Sequence, residues 1–278
     1  MSGPIRHSAA VQIGYHLFLI LAVLVTLFPF AWMVGTSLKS PAEICTRTPT
    51  LLPTAPTLEH FRGLLEAASL GRGFINSLIF AVGATVLSLL VNALAAYAFA
   101  RLRFPGRERL FALLLVTMMV PGQVTMMPVF LIVKSLGWLN SWTGLIVPGI
   151  ASVFAIFLLR QFMSEIPEEI LEAARIDGCT EFRTFWHVVL PLSRPALATL
   201  AIFNFIGAWN EFLWPLIIML REDMQTLPVM LANLNGQYNT DWGLLMAGAV
   251  VVVTPVIIVF LFAQRYYIEG IAAGGVKE

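Results

Sequence analysis

The chain has 278 residues, of which 58% are hydrophobic and only 12% charged, and its net charge is +1. That charged share is about half the usual one for a soluble domain, and a water-solvated fold of this length could not hide so much apolar surface. Lipid is the solvent this composition fits. The near-neutral balance is uninformative about acidic partners or nucleic acid.

A helix that crosses a bilayer needs about 20 mostly apolar residues. Six segments meet that need in chain order: about Val11–Thr36, Phe74–Ala100, Leu110–Val133, Thr143–Leu159, Pro195–Leu220 and Gly243–Phe262. The first is too long for the apolar stretch of a signal peptide and has no small-residue cleavage site after it, so it reads as a retained helix. The loop Ser37–Gly73 carries Pro41, Pro49, Pro53 and Pro56, which disfavour a long helix. Its second half, from Thr57, has the pattern of a short amphipathic helix with Thr57 as cap.

Lysine and arginine set the orientation. The cluster Arg101, Arg103, Arg107 and Arg109 between the second and third spans gives the strongest indication. With it inside, Arg160, Arg175, Arg183, Arg194 and Arg265 fall on the same side. Both termini are then cytoplasmic. Cys45 and Cys179 lie on opposite sides in this topology, so no disulfide is expected. The four histidines have no metal-ligand spacing, and Lys39, Lys134 and Lys277 lack the glycine pattern of a phosphate-cradling loop. ATP hydrolysis by this chain is not expected.

The segment 160–194 is too polar for lipid. Pro167 suits the first turn of a helix, and Glu168, Glu169 and Glu172 place negative charge toward the positive end of its dipole. Gly178 is the residue suited to ending that helix at about Asp177. Thr180 is a good cap for a second helix running to about Leu190, before Pro191. On that helix Phe182, Phe185, Trp186 and Val189 form one apolar face. The expectation is a helix–glycine–helix hairpin on the cytoplasmic side.

Intramembrane polar residues are costly and mark contacts or a path. Gln123, Asn92, Asn204, Asn210 and Glu211 are the candidates, with Trp209 beside them. Glu211 is the one carboxylate placed inside a span. Interhelical hydrogen bonding and contact with a translocated solute both account for it. Pro121, Pro128, Pro148, Pro215 and Pro255 are expected to break the third to sixth spans.

The hairpin carries a specific pattern: Glu172-Ala173-Ala174, three residues, Gly178, nine residues, Val188, one residue, Leu190-Pro191. This resembles the coupling loop of ABC importer permeases, with Val188 where isoleucine is commoner. The whole chain resembles the smaller permease subunit of the maltose-type sugar importers, in Asn76-Ser77, in Ala208–Leu213 and in the glycine-rich tail Gly270–Lys277. The resemblance implies an all-α integral membrane protein, a type I importer bundle of six transmembrane helices forming one domain over 1–278.

It further implies a prokaryotic plasma-membrane location, a second permease subunit, two ATPase subunits and an extracytoplasmic solute-binding protein. The carried solute would be a sugar or sugar-like compound, with no nucleic acid involved. ATP and Mg would be bound by the ATPase subunits, leaving this chain without a cofactor or metal. Glu172, Ala173, Ala174, Asp177, Gly178, Leu190 and Pro191 would couple to an ATPase, and Gly274 and Gly275 would reach between the two ATPases. Asn204, Trp209, Asn210, Glu211 and Gln123 remain candidates for the path. The alternative is an ion-coupled secondary transporter, for which paired interrupted repeats are expected and none is visible.

Overall fold

The computed structural model describes residues 9–46, 48, 50–66, 70–234 and 241–275, and every regular element among them is helical. The chain divides into two compact units, residues 1–68 with 231–253, and residues 69–230 with 254–278.

The first unit contains α1 (Ala9–Ser37) and α2 (Glu59–Glu66). Along α1 the large apolar side chains from Val11 to Phe30 are exposed, as a lipid-facing or partner-facing helix requires. Its end is different. Gly35, Thr36 and Ser37 are buried, and a Cβ on Gly35 would run into the Leu51 backbone. The Thr57 hydroxyl accepts from the Glu59 N–H at 3.1 Å at the start of α2. On α2 the buried His60 bonds the Lys39 carbonyl at 2.9 Å, and its ring fills the space a Cβ on Gly243 would need.

The second unit is built on α3 (Leu70–Arg101). It continues through α4 (Arg107–Thr117), α5 (Gly122–Ser135), α6 (Trp142–Ile146), α7 (Val153–Ser164), α8 (Glu168–Ile176), α9 (Glu181–Thr184), α10 (Arg194–Asn210), α11 (Leu213–Ile218) and the first part of α12 (Leu227–Asn233). A last helix, α13 (Trp242–Gly275), belongs partly to each unit. α3 packs against α7 and α10, with Ala93 and Ala96 fully buried. Small side chains there let helices approach closely, which is how packing is gained where lipid offers no hydrophobic drive. Leu159, Met163, Phe185 and Leu200 complete this core.

Three helices are long and apolar enough to cross a membrane alone: Val11–Ser37, Leu70–Arg101 and Trp242–Phe262. Three bent pairs raise the number to as many as six if each pair forms one span. The segment expected as one span from Leu110 is two arms, α4 and α5, bent by 101° where Pro121 precedes α5. The next is α6, extended by a 3-10 turn that contains Pro148, and α7, bent by 50° between Gly149 and Val153. The third pair is Glu181–Leu192 with Arg194–Asn210, bent by 78°.

Proline behaves unevenly. Pro128 and Pro255 lie inside α5 and α13 without ending them, against the expected breaks. A proline removes one N–H and kinks a helix, but flanking turns can carry it. In the segment 195–220 the chain breaks at Glu211–Phe212, between α10 and α11, and Pro215 sits within α11.

Candidate functional site

Two regions of the second unit carry the residues of interest. The first is the hairpin. α8 starts after Pro167, with Glu168 and Glu169 in its first turn and Arg175 in its last, all favourably placed for the helix dipole. Gly178 adopts φ +79°, and a closing pair of hydrogen bonds ends the helix. The Cys179 N–H donates to the Ala174 carbonyl at 2.9 Å, and the Gly178 N–H donates to Arg175 at 3.0 Å. This is the Schellman arrangement, for which only glycine is free of a Cβ penalty. The Thr180 hydroxyl then accepts from the Arg183 N–H at 3.4 Å and caps α9.

The second arm differs from a plain helix. After α9 comes a π-helical stretch, Phe185–Val189, and helix resumes at Leu190–Leu192 through Pro191. Pro191 has no N–H for the His187 carbonyl and its ring crowds that carbonyl, so the preceding turn widens. The expected apolar face is split in two. Phe185 and Val189 are buried, whereas Phe182 and Trp186 are exposed. Leu190 and Pro191 are half-buried.

α8 is two-faced. Leu171 and Ala174 are buried against the bundle, and Glu172, Ala173, Ile176, Asp177 and Gly178 are exposed. The two alanines therefore have opposite roles: Ala174 packs inward and Ala173 faces out. Ile176, at 86% exposure, is the apolar tip of the outer face, and sequence reasoning did not single it out. Its position three residues after Ala173 on a helix was the available signal.

A chain of charges ties this hairpin to α3. Arg101 pairs with Glu168 at 3.0 Å, Glu168 with Arg175 at 3.1 Å, and Arg175 with Glu181 at 3.3 Å. Glu181 accepts from the Tyr97 hydroxyl at 2.5 Å. Arg101 also donates to the carbonyls of Met163 and Ile166. Its side chain is nearly buried, so these bonds satisfy a guanidinium that water cannot reach freely. The Glu168 carboxylate, with Glu181 adding to it, holds the Arg175 guanidinium above its ordinary range. With Arg103, Arg107 and Glu172 these groups line a charged cleft of about 610 Å³. Beside it Glu108 pairs with Arg107 and with Arg160, each at 2.9 Å. The Arg160 guanidinium lies 3.9 Å over the Phe111 ring.

The second region is an open cavity of about 580 Å³. Ser88 on α3, Gln123 and Thr125 on α5, Asn204 on α10, and Glu211 and Trp214 at the α10–α11 break line it. Of the candidate path residues, Gln123, Asn204 and Glu211 meet here. Trp209 is buried, edge-on to Phe74 and stacked on Phe205, and does not line the cavity. Asn210 is exposed and donates to the Ile206 carbonyl at 3.0 Å.

The cavity's shape depends on broken helices whose freed backbone groups find partners. Asn92 is fully buried and serves the α6–α7 break: its Oδ1 accepts from the Ser152 N–H at 2.9 Å and its Nδ2 donates to the Ile150 carbonyl at 3.0 Å. Nδ2 also donates to the Ser88 hydroxyl at 2.8 Å, which accepts from Asn204 as well. At the other break the Glu211 carboxylate accepts from the Trp214 N–H at 3.2 Å, and the Trp214 indole donates to the Leu145 carbonyl. Farther along, Asn76 donates to the carbonyls of Asp223 and Gln225, and the Ser77 hydroxyl accepts from the Leu227 N–H. The Asn76-Ser77 pair is thus a clamp on the segment before α12. Gly274 and Gly275 close α13, and the rest of the glycine-rich tail, 276–278, lies outside the described residues.

Comparison with known proteins agrees with this geometry. The chain is 38% identical, over 91% of its length and 92% of the relative, to an arabinooligosaccharide transport system permease protein of Halalkalibacterium halodurans. It is 35% identical to a diacetylchitobiose uptake system permease protein of Streptomyces coelicolor, over 90% of this chain and 91% of that one. Its structure matches a chain of a bacterial ABC transporter involved in alginate import, with a TM-score of 0.87 at 26% identity, covering 96% of this chain and all of the other. The family model of binding-protein-dependent transport system inner membrane components matches residues 90–272. The chain is a non-enzymatic, multi-pass membrane permease and belongs to that family of inner membrane components.

Proposed function

We propose that this chain is one permease subunit of an ATP-driven importer, carrying a sugar or sugar-like solute by alternating access. It pairs with a second permease subunit, stands on two ATPase subunits that bind ATP and Mg, and receives solute from an extracytoplasmic binding protein. Both termini and the hairpin face the cytoplasm. The sugar class follows the relatives, whose names specify oligosaccharides of arabinose and of acetylated chitobiose.

The observation that carries the coupling role is the two-faced α8. Its inner face is anchored through Leu171 and Ala174, while Ala173, Ile176 and Gly178 stand free at its tip. A short helix presented in this way, with an apolar tip and flanking Glu172 and Asp177, fits a cleft on an ATPase. The Arg101–Glu168–Arg175–Glu181–Tyr97 chain makes hairpin and α3 move together, so closure of the ATPase pair is transmitted as a rigid-body change of the bundle. Gln123, Asn204 and Glu211 then lie along the solute path.

Cysteine labelling tests the orientation on which this depends. Cys45 is exposed and Cys179 directly follows Gly178. In intact cells a membrane-impermeant maleimide should label Cys45, and Cys179 should react only after the membrane is opened. The reverse pattern would place the hairpin outside, away from any ATPase.

A further inference from the structure

The cavity holds a single formal charge. Glu211 lines it, and no lysine, arginine or histidine is found among the described residues that line it. One Glu211 oxygen is engaged by the Trp214 N–H, and no cation pairs with the carboxylate among the described residues. The remaining polar side chains are the hydroxyls of Ser88, Thr125 and Ser152, the amides of Gln123 and Asn204 and the Trp214 indole, set among Phe80, Met126 and other apolar walls. A cleft with low-dielectric walls focuses the field of such a charge instead of letting water disperse it.

That field separates solutes by charge. The hydroxyls of a neutral sugar can donate to the carboxylate, and an ammonium group is drawn to it. A uronate or phosphate meets a like charge, and this wall offers no counter-charge to relieve it. We infer that this chain's share of the path is a charge filter, passing neutral and amino sugars and disfavouring anionic ones, with Glu211 as the specificity-determining residue. The inference rests on reading the cavity as the solute path, and it reaches past the relatives, one of which belongs to an importer of an acidic polysaccharide.

The test needs no knowledge of the natural solute. Thr125 is an exposed cavity residue whose hydroxyl donates to the Gly122 carbonyl and to no other group among the described residues, so it is a suitable reporter once Cys45 and Cys179 are replaced by serine. In the assembled transporter, Thr125→Cys is modified with a cationic trimethylammonium-ethyl and an anionic sulfonatoethyl methanethiosulfonate. Relative to a small thiol in solution, the cation-to-anion rate ratio should rise about fivefold, the size expected of one partly screened charge at cavity distances. Glu211→Gln, which keeps the acceptor for Trp214, should return the ratio to the solution value, and Glu211→Asp should preserve the bias.

A ratio equal to that in solution, or one unmoved by Glu211→Gln, would overturn the charge filter. So would the absence of labelling by either reagent, because the cavity would then be closed to water. Labelling is read without transport, so a Thr125→Cys protein that imports nothing still answers. Where the cysteine protein does import, full modification that leaves uptake unchanged refutes the path reading. Blocked uptake with a flat ratio refutes the filter alone.

Discussion

The hairpin and the cavity are made by different kinds of interaction. The hairpin is closed by neighbours in sequence: Gly178 bonds Arg175, Cys179 bonds Ala174, and Thr180 caps the helix it starts. The cavity is held open by partners far apart in sequence, chiefly Asn92 with Ile150 and Ser152. Local chemistry shapes the hairpin, and long-range satisfaction of broken backbone shapes the cavity. Damage to the first should uncouple the machine, and damage to the second should dismantle it.

The largest expected effect is therefore at Asn92. Asn92→Leu takes the side-chain partner from the Ile150 carbonyl and the Ser152 N–H, at about 1–3 kcal/mol each. The purified, assembled transporter should melt at a markedly lower temperature and give a low yield. An unchanged melting curve would mean that the α6–α7 break does not depend on this side chain.

Gly178 should behave in the opposite way. Nothing lies within 4 Å of the position a Cβ would occupy, so substitution meets no neighbour and strains only the backbone at φ +79°. Gly178→Val should cost about 1–2 kcal/mol locally, leaving insertion and yield nearly intact. Uptake should fall while ATP hydrolysis loses its dependence on solute. Normal, solute-stimulated uptake by this variant would sever the hairpin from coupling.

Tyr97→Phe should have a smaller effect, because it removes one bond from the charge chain and leaves Arg175–Glu181 in place. About 1 kcal/mol of connection between α3 and the hairpin is lost. The expected sign is a lower ratio of solute carried to ATP hydrolysed, with each variant equally stable. A drop in stability without a change in that ratio would make the bond structural only.

This contrast also explains what could be read from residues alone. The ends of α8, its capping glycine and the start of α9 follow from Pro167, Gly178 and Thr180, whose preferences are local. The π-helical stretch does not follow, because a proline after a helical run signals a stop, whereas Pro191 widens the preceding turn. The breaks were half legible. Pro121 marks one, but the break at Glu211–Phe212 has no proline and is sustained by the Glu211 carboxylate itself. The division of Ala173 from Ala174 depends on which face of α8 turns toward the core that holds Leu171, and no spacing reveals that. Nor does any motif announce that Arg101, Glu168, Arg175 and Glu181 form one chain, since the partners come from three helices.

The central claim is that the outer face of α8 docks on an ATPase subunit. A photoactivatable crosslinker attached to Ala173→Cys, in an otherwise cysteine-free transporter, tests it directly. Ala173 should capture an ATPase subunit, and the same reagent at the also exposed Leu65→Cys of α2 should capture none. An ATPase adduct from Leu65, or none from Ala173 in an active transporter, would contradict the account.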